Sequence, residues 1–253
     1  PELERWALHR IWEMDGLIRD ACNSYHFHPM FVELHNFCAI DLSAFYFDIR
    51  KDALYCDGAD SLTRRAARTV LDELFNYLTA WLAPIICFTA EEAWMTRNPG
   101  ENESVHLRQF PDTPEGWRDD ALAAKWNRVR DLRRVVTGAL ELERADKRIG
   151  SSLEAHADVY TTGEFIEAMQ GVDLAEISIT SSAALHEGDA PEGAFRIEEV
   201  SGVAVAPSSA AGNKCARCWK VLDDVGSDAE HTDVCPRCAD AVRKHPELLE
   251  DSH

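Results

Sequence analysis

The stretch 61–84, SLTRRAARTVLDELFNYLTAWLAP, decides the class of the fold. Ala67, Val70, Leu71, Leu74, Leu78 and Trp81 recur at three- and four-residue spacing, which gathers them on one face of an α-helix. Ser61 suits the N-cap, and Pro84, lacking an N–H, forbids regular continuation. The spacing predicts one amphipathic helix between those two residues.

Working outward, the same period returns upstream. Leu8, Ile11, Ile18, Cys22 and Tyr25 mark one apolar stripe, and Phe31, Leu34, Cys38, Leu42, Phe45 and Ile49 another. Downstream, TAEEAW opens a short helix with Thr89 and Glu92 in capping-box register. Such faces satisfy one another by packing as a bundle. Phe45, Tyr46 and Phe47 belong to that packing, because consecutive helical residues point about 100° apart and the run must face the core at least once.

Between Asn98 and Asp119 the prolines and glycines break any period, so a linker is expected there. A long helix follows from about Ala121 to Lys147, striped by Leu122, Trp126, Val129, Val136 and Leu140, with Gly150 near its end. Beyond it, ADVYTT, AEISITS, AFRIEEV and GVAVAPS read as short strands of a small α/β unit. The expected class is mainly α: a helical bundle over 1–119, a connecting helix with an α/β junction over 120–212, and a cysteine-bearing tail over 213–253.

With 45% hydrophobic residues the 253-residue chain can bury a substantial core. No apolar run reaches the roughly 20 residues that span a bilayer, and the chain starts at Pro1, so it is read as a soluble fragment. The formal charge of −19 argues against a polyanionic partner until its distribution is considered: residues 151–200 hold eleven acids against Arg196 alone. Eight bases against four acids fall within 125–148, with Arg130, Arg133 and Arg134 on one helical face. Arg64, Arg65 and Arg68 form a second basic cluster. Either group suits a phosphate track or a solvated, salt-bridged face.

The tail carries the sharpest motif, NKCARCWKVLDDVGSDAEHTDVCPRCADA over 213–241. Cys215-x2-Cys218-x16-Cys235-x2-Cys238 has the spacing of a four-thiolate zinc site, in which two tight knuckles complete a tetrahedron. Four protein ligands leave no open position for water or substrate, so one structural zinc is expected and no catalytic residue is assigned. Zinc deaminases place His-x-Glu before Pro-Cys-x-x-Cys; here the His-x-Glu is His245-Pro246-Glu247, after both pairs, which rejects that chemistry. Lys214, Arg217, Lys220 and Arg237 can offset the −2 charge of the metal and four thiolates. Trp219 either covers the knuckle or offers a stacking platform for an unpaired base, flanked by Arg217 and Lys220. Cys22, Cys38, Cys56 and Cys87 are scattered and read as reduced, buried apolar residues, which points to the cytosol.

HNFCAIDLSAFYFDIRKDALYC (35–56), RRAARTVLDELFNYLTAWLAPIICFTAEEAW (64–94), RADKRIGSSLEA (144–155), KCARCW and VCPRC together resemble the C-terminal part of bacterial isoleucyl-tRNA synthetase, in that order. The resemblance implies an anticodon-binding helical bundle, a junction domain and a zinc-bearing tail that hold the anticodon stem-loop of isoleucine tRNA. It places the zinc on Cys215, Cys218, Cys235 and Cys238 and an anticodon-stacking role on Trp219. The family's adenylation signatures, His-Ile-Gly-His and Lys-Met-Ser-Lys-Ser, are not in this sequence, so ATP and Mg²⁺ belong to a catalytic part outside it, and the chain itself is expected not to aminoacylate. The expected RNA contacts are Trp219, Lys214, Arg217, Lys220, Arg130, Arg133 and Arg134, in a cytoplasmic monomer without membrane contact. The rival expectation is a zinc-stabilised helical scaffold for a protein partner.

Overall fold

The computed structural model describes residues 1–100 and 102–245. By contact the chain divides into two compact units, residues 1–50 with 62–123, and 51–61 with 124 onward.

The first unit is built on α1 (Glu2–Ser24), α2 (Phe27–Asn36), α4 (Leu62–Leu82) and α5 (Cys87–Arg97). From α2 the chain passes through a π-helical stretch, Phe37–Phe47, into α3 (Asp48–Cys56). The i→i+5 pattern widens the helix there and lets the neighbours Phe45 and Tyr46 both be buried, so the aromatic run is core. Of the stripe on α4, Ala67, Val70, Leu74 and Trp81 are buried, and the helix ends two residues before Pro84. α1 buries Ile11 and Ile18 as expected but adds Trp6, Ala7 and Met14. Tyr25 leaves the stripe because it closes α1 in a left-handed conformation (φ 60°), its N–H donating to Ala21 O, which turns the ring outward. Phe31 also faces solvent. The capping box at Thr89 does not form: α5 begins at Cys87, two residues earlier, with Ile86 at its N-cap.

Charges inside this unit are paired. The Arg50 guanidinium donates to Glu4 Oε1 at 2.5 Å and Oε2 at 2.9 Å, and the Tyr46 hydroxyl donates to Oε1 at 3.4 Å. Asp15 accepts from Trp81 Nε1 at 3.1 Å, Arg19 Nε at 2.7 Å and Thr113 Oγ1 at 2.7 Å. These bonds replace the hydration lost on burial and fix the register of α1.

The helix α6 (Asp120–Ala145), which belongs to the second unit from Ala124 onward, is followed in sequence by a four-stranded sheet of order β2-β1-β4-β3. The strands are β1 (Ala155–Thr161), β2 (Ser182–Glu187), β3 (Phe195–Ile197) and β4 (Val200–Ser209); β1 runs parallel to β2 and antiparallel to β4. Two short helices, α7 (Glu164–Ala168) and α8 (Leu174–Ser178), make the crossover between the parallel strands. AEISITS is thus not a strand: the Asp173 carboxylate accepts from the Glu176 N–H, capping α8, and the strand follows at 182–187. All five residues of the α6 stripe are buried, and Gly138 allows Phe195 against the helix, since a Cβ there would sit 3.0 Å from its ring. The chain leaves α6 through Lys147 (φ 59°) rather than through Gly150.

Candidate functional site

The two cysteine pairs come from different local structures. The first lies in the turn of a two-stranded antiparallel ribbon, β5 (Asn213–Lys214) and β6 (Val221–Leu222). The ribbon closes tightly because Gly212 (φ 108°) has no Cβ, which would fall 2.3 Å from the Leu222 carbonyl carbon. The Cys215 N–H donates to Lys220 O at 2.8 Å and the Trp219 N–H to Cys215 O at 3.0 Å, folding the backbone around both sulfurs. The second pair opens α9 (Pro236–Lys244): Cys235 is its N-cap and Pro236 takes the first position, where no N–H partner is required. The Cys235 N–H points at Cys215 Sγ, 3.3 Å away.

All four sulfurs lie within 4.8 Å of one another and all four cysteines are buried. Hydrogen bonds from Cys218 and then Cys238 bring the Cys235 thiol down to about 3, while hydrogen bonds with Cys218 and Cys235, then burial, push Cys238 up. Four thiolates this close repel one another, so all four coexist ionised only around a cation. The set is all-sulfur and closed, which suits zinc in a purely structural role.

The knuckles are seated on residues 51–61 of their own unit. The Arg217 guanidinium donates to Cys56 O at 2.5 Å and Tyr55 O at 3.0 Å. Arg237 grips Asp52 at 2.6 and 2.9 Å and reaches Asp57 at 3.2 Å, and Lys244 pairs with Asp60 at 3.0 Å. Burial alone would raise the Asp52 carboxyl, but the hydrogen bonds and charge of Arg237, with Lys220 beyond, hold it below the ordinary carboxylate range. Cys56 packs among the zinc-site cysteines with its thiol pushed up to about 12 by burial and by Asp52. It stays protonated and inert, as expected of the scattered thiols; Cys87, however, is exposed.

Trp219 is 62% exposed, so its indole does not fold over the knuckle. Its backbone is left-handed at φ 64°, a conformation that costs a non-glycine residue about 1–2 kcal/mol. Trp219 is thus a solvent-facing aromatic held in a left-handed backbone beside the cysteine cluster.

The other expected RNA residues are placed as follows. Lys220 adjoins Trp219; Lys214 pairs with Glu154 at 3.1 Å; Arg217 is the clamp just described. On α6, Arg133 Nε donates to Ile177 O at 2.6 Å, while Arg134 is exposed and Arg130 partly so. Sequence reading missed the seat at 51–61. Its signal, three aspartates facing Arg237 and Lys244, is spread over partners up to 185 positions apart.

The family described as the anticodon-binding domain of tRNA ligase matches residues 4–160. The chain belongs to that family. A second family, described as the zinc finger found in FPG and IleRS, matches residues 212–241. This match and the four-cysteine cluster support one structural zinc on Cys215, Cys218, Cys235 and Cys238. The chain is similar to the isoleucine–tRNA ligase of Brucella abortus, with 53% identity over 245 residues, covering 96% of this chain and 25% of that protein. Similar enzymes in Caulobacter vibrioides and Agrobacterium fabrum are 51% and 49% identical, with the same coverage. The anticodon-binding chain therefore spans about a quarter of the length of the curated relatives it matches. Among its described residues no helix is long and apolar enough to cross a membrane.

Proposed function

We propose that this chain is the anticodon-recognising part of an isoleucine–tRNA ligase and holds the anticodon stem-loop of isoleucine tRNA. Residues 1–119 act as the anticodon bundle, 120–212 as the junction and 213–253 as the zinc-bearing tail; Pro246, Glu247 and the rest of 246–253 lie outside the described residues. Adenylation, with ATP and Mg²⁺, belongs to the remainder of such an enzyme.

The observation that carries this reading is Trp219: exposed, in a left-handed backbone, and fixed by a closed thiolate knuckle. Its indole is the stacking surface for an unstacked anticodon base, and Lys220 and Lys214 supply charge for adjacent phosphates. Arg217 contributes by holding the knuckle in place. On α6, Arg134 with Arg130 contacts the phosphate backbone, and Arg133 supports that face through Ile177. The chain works as a monomer in the cytoplasm. The experiment is a titration of the chain with isoleucine tRNA and with a tRNA of another anticodon. Preference for the first supports the reading; retention of neither at low salt favours a scaffold for a protein partner.

A further inference from the structure

Among the described residues of the second unit, Tyr55 and Trp219 are the two aromatic side chains that face solvent, at 78% and 62% exposure. They are 164 positions apart in sequence, yet Arg217, two residues before Trp219, ties this loop to the last turn of α3. Arg217 donates to the carbonyls of Tyr55 and Cys56, and Cys218 shares a buried cluster with Cys56. The loop that carries Trp219 is thus tied, through Arg217, to the turn that carries Tyr55. Neither ring has an aromatic or cationic partner among the described residues.

Each ring also carries a cation beside it. Lys51 is exposed four residues before Tyr55, on the same helical face, and Lys220 follows Trp219. Arg237 engages Asp52 and Asp57, the acids on this turn. In a chain of charge −19 the two exposed rings each have a lysine close by in sequence. Alternation of stacking faces and phosphate charges is what an unpaired RNA strand requires of a protein.

We propose that Tyr55 is a second base-contacting residue, stacking on an unpaired base of the same RNA loop that Trp219 engages. The proposal rests on the tRNA-binding reading above. The zinc knuckle then does more than present Trp219, because by clamping α3 through Arg217 and Arg237 it sets the spacing of two platforms from distant parts of the chain. The phenol is suited to this position because its ring offers a stacking face and its hydroxyl stays hydrated.

The test is titration of the 253-residue chain with an unmodified isoleucine anticodon stem-loop and with versions made abasic at each loop position in turn. Wild type, Tyr55→Ala, Tyr55→Phe, Trp219→Ala and, as an exposed aromatic elsewhere, Tyr25→Ala are compared after zinc content is shown to be equal. Tyr55→Ala should lose roughly 5- to 150-fold in affinity, the range typical of one stacked base. Tyr55→Phe should retain most of it, and the loss should vanish when one particular loop base is absent; Tyr25→Ala should bind as wild type. If Tyr55→Ala binds like wild type, or loses equally with every RNA, the second platform is wrong, and a loss in Trp219→Ala alone would leave the anticodon reading standing. If wild type retains no stem-loop, both fall together.

Discussion

Zinc removal has a calculable consequence. The tail has a meagre core of its own: among its described residues, apart from the cysteines, Val234, Ala239, Ala241 and Val242 are the buried apolar ones. Burying the two valines contributes roughly 3–6 kcal/mol, far short of the ~1 kcal/mol or more that ordering each of about thirty residues costs, so folding of the tail depends on the metal. The bundle has its own core of Trp6, Ile11, Tyr46, Leu74 and Trp81 and does not depend on it. Chelation should unfold residues from about 213 onward and cost no more than about a tenth of the far-ultraviolet helical signal, because α9 has nine residues against twenty-six in α6 and twenty-one in α4. Amide exchange should rise across 213–245, and also across 51–61, where Arg217 and Arg237 release their partners. Metal analysis of the native protein should give one zinc per chain. A zinc-free native protein, or loss of most helicity on chelation, would refute the reasoning.

Other outcomes follow from the same contacts. Replacing Arg50 with Met strands the buried Glu4 carboxylate and should cost about 3–5 kcal/mol in urea unfolding, with the double change Glu4→Gln, Arg50→Met recovering part of it. Trp219→Gly should relieve the left-handed strain and stabilise the tail by ~1 kcal/mol while weakening RNA binding, a pairing of signs that a merely structural tryptophan would not give. Asp52, held below its ordinary range by Arg237, contributes docking stability above an unfolded pKa near 3.9 that is lost as pH falls through the lower folded value, so at neutral pH, where zinc stays bound, Asp52→Asn should raise amide exchange across 51–61. Replacing Arg130 and Arg134 with alanine should weaken all tRNAs about equally and flatten the salt dependence, since phosphate contacts carry no base information.

The helical class and the zinc site were legible because each rests on short-range spacing. The α4 stripe needs only a period, and the knuckles need only Cys-x-x-Cys, so neither depends on distant partners. Two patterns misled for different reasons: AEISITS has a strand's alternation but Asp173 caps it into α8, while Thr89 has a capping box's register but lies inside α5, which starts two residues earlier without a side-chain cap. Tyr25 looked like the end of an apolar stripe until a left-handed cap turned it out. The seat at 51–61 was hidden for the opposite reason: its ion pairs join residues that only folding brings together. The exposure of Trp219 was likewise undecidable from residue type, because a covering and a projecting indole occupy the same position in sequence.

The most direct test of the central claim is equilibrium binding of the zinc-loaded chain to the isoleucine anticodon stem-loop and to the same loop with its anticodon exchanged, each with wild type and Trp219→Ala. The account predicts tighter binding of the isoleucine loop by wild type and a loss of roughly 5- to 150-fold for that loop in Trp219→Ala. Equal binding of both loops by wild type, with Trp219→Ala indistinguishable from it, would contradict the account.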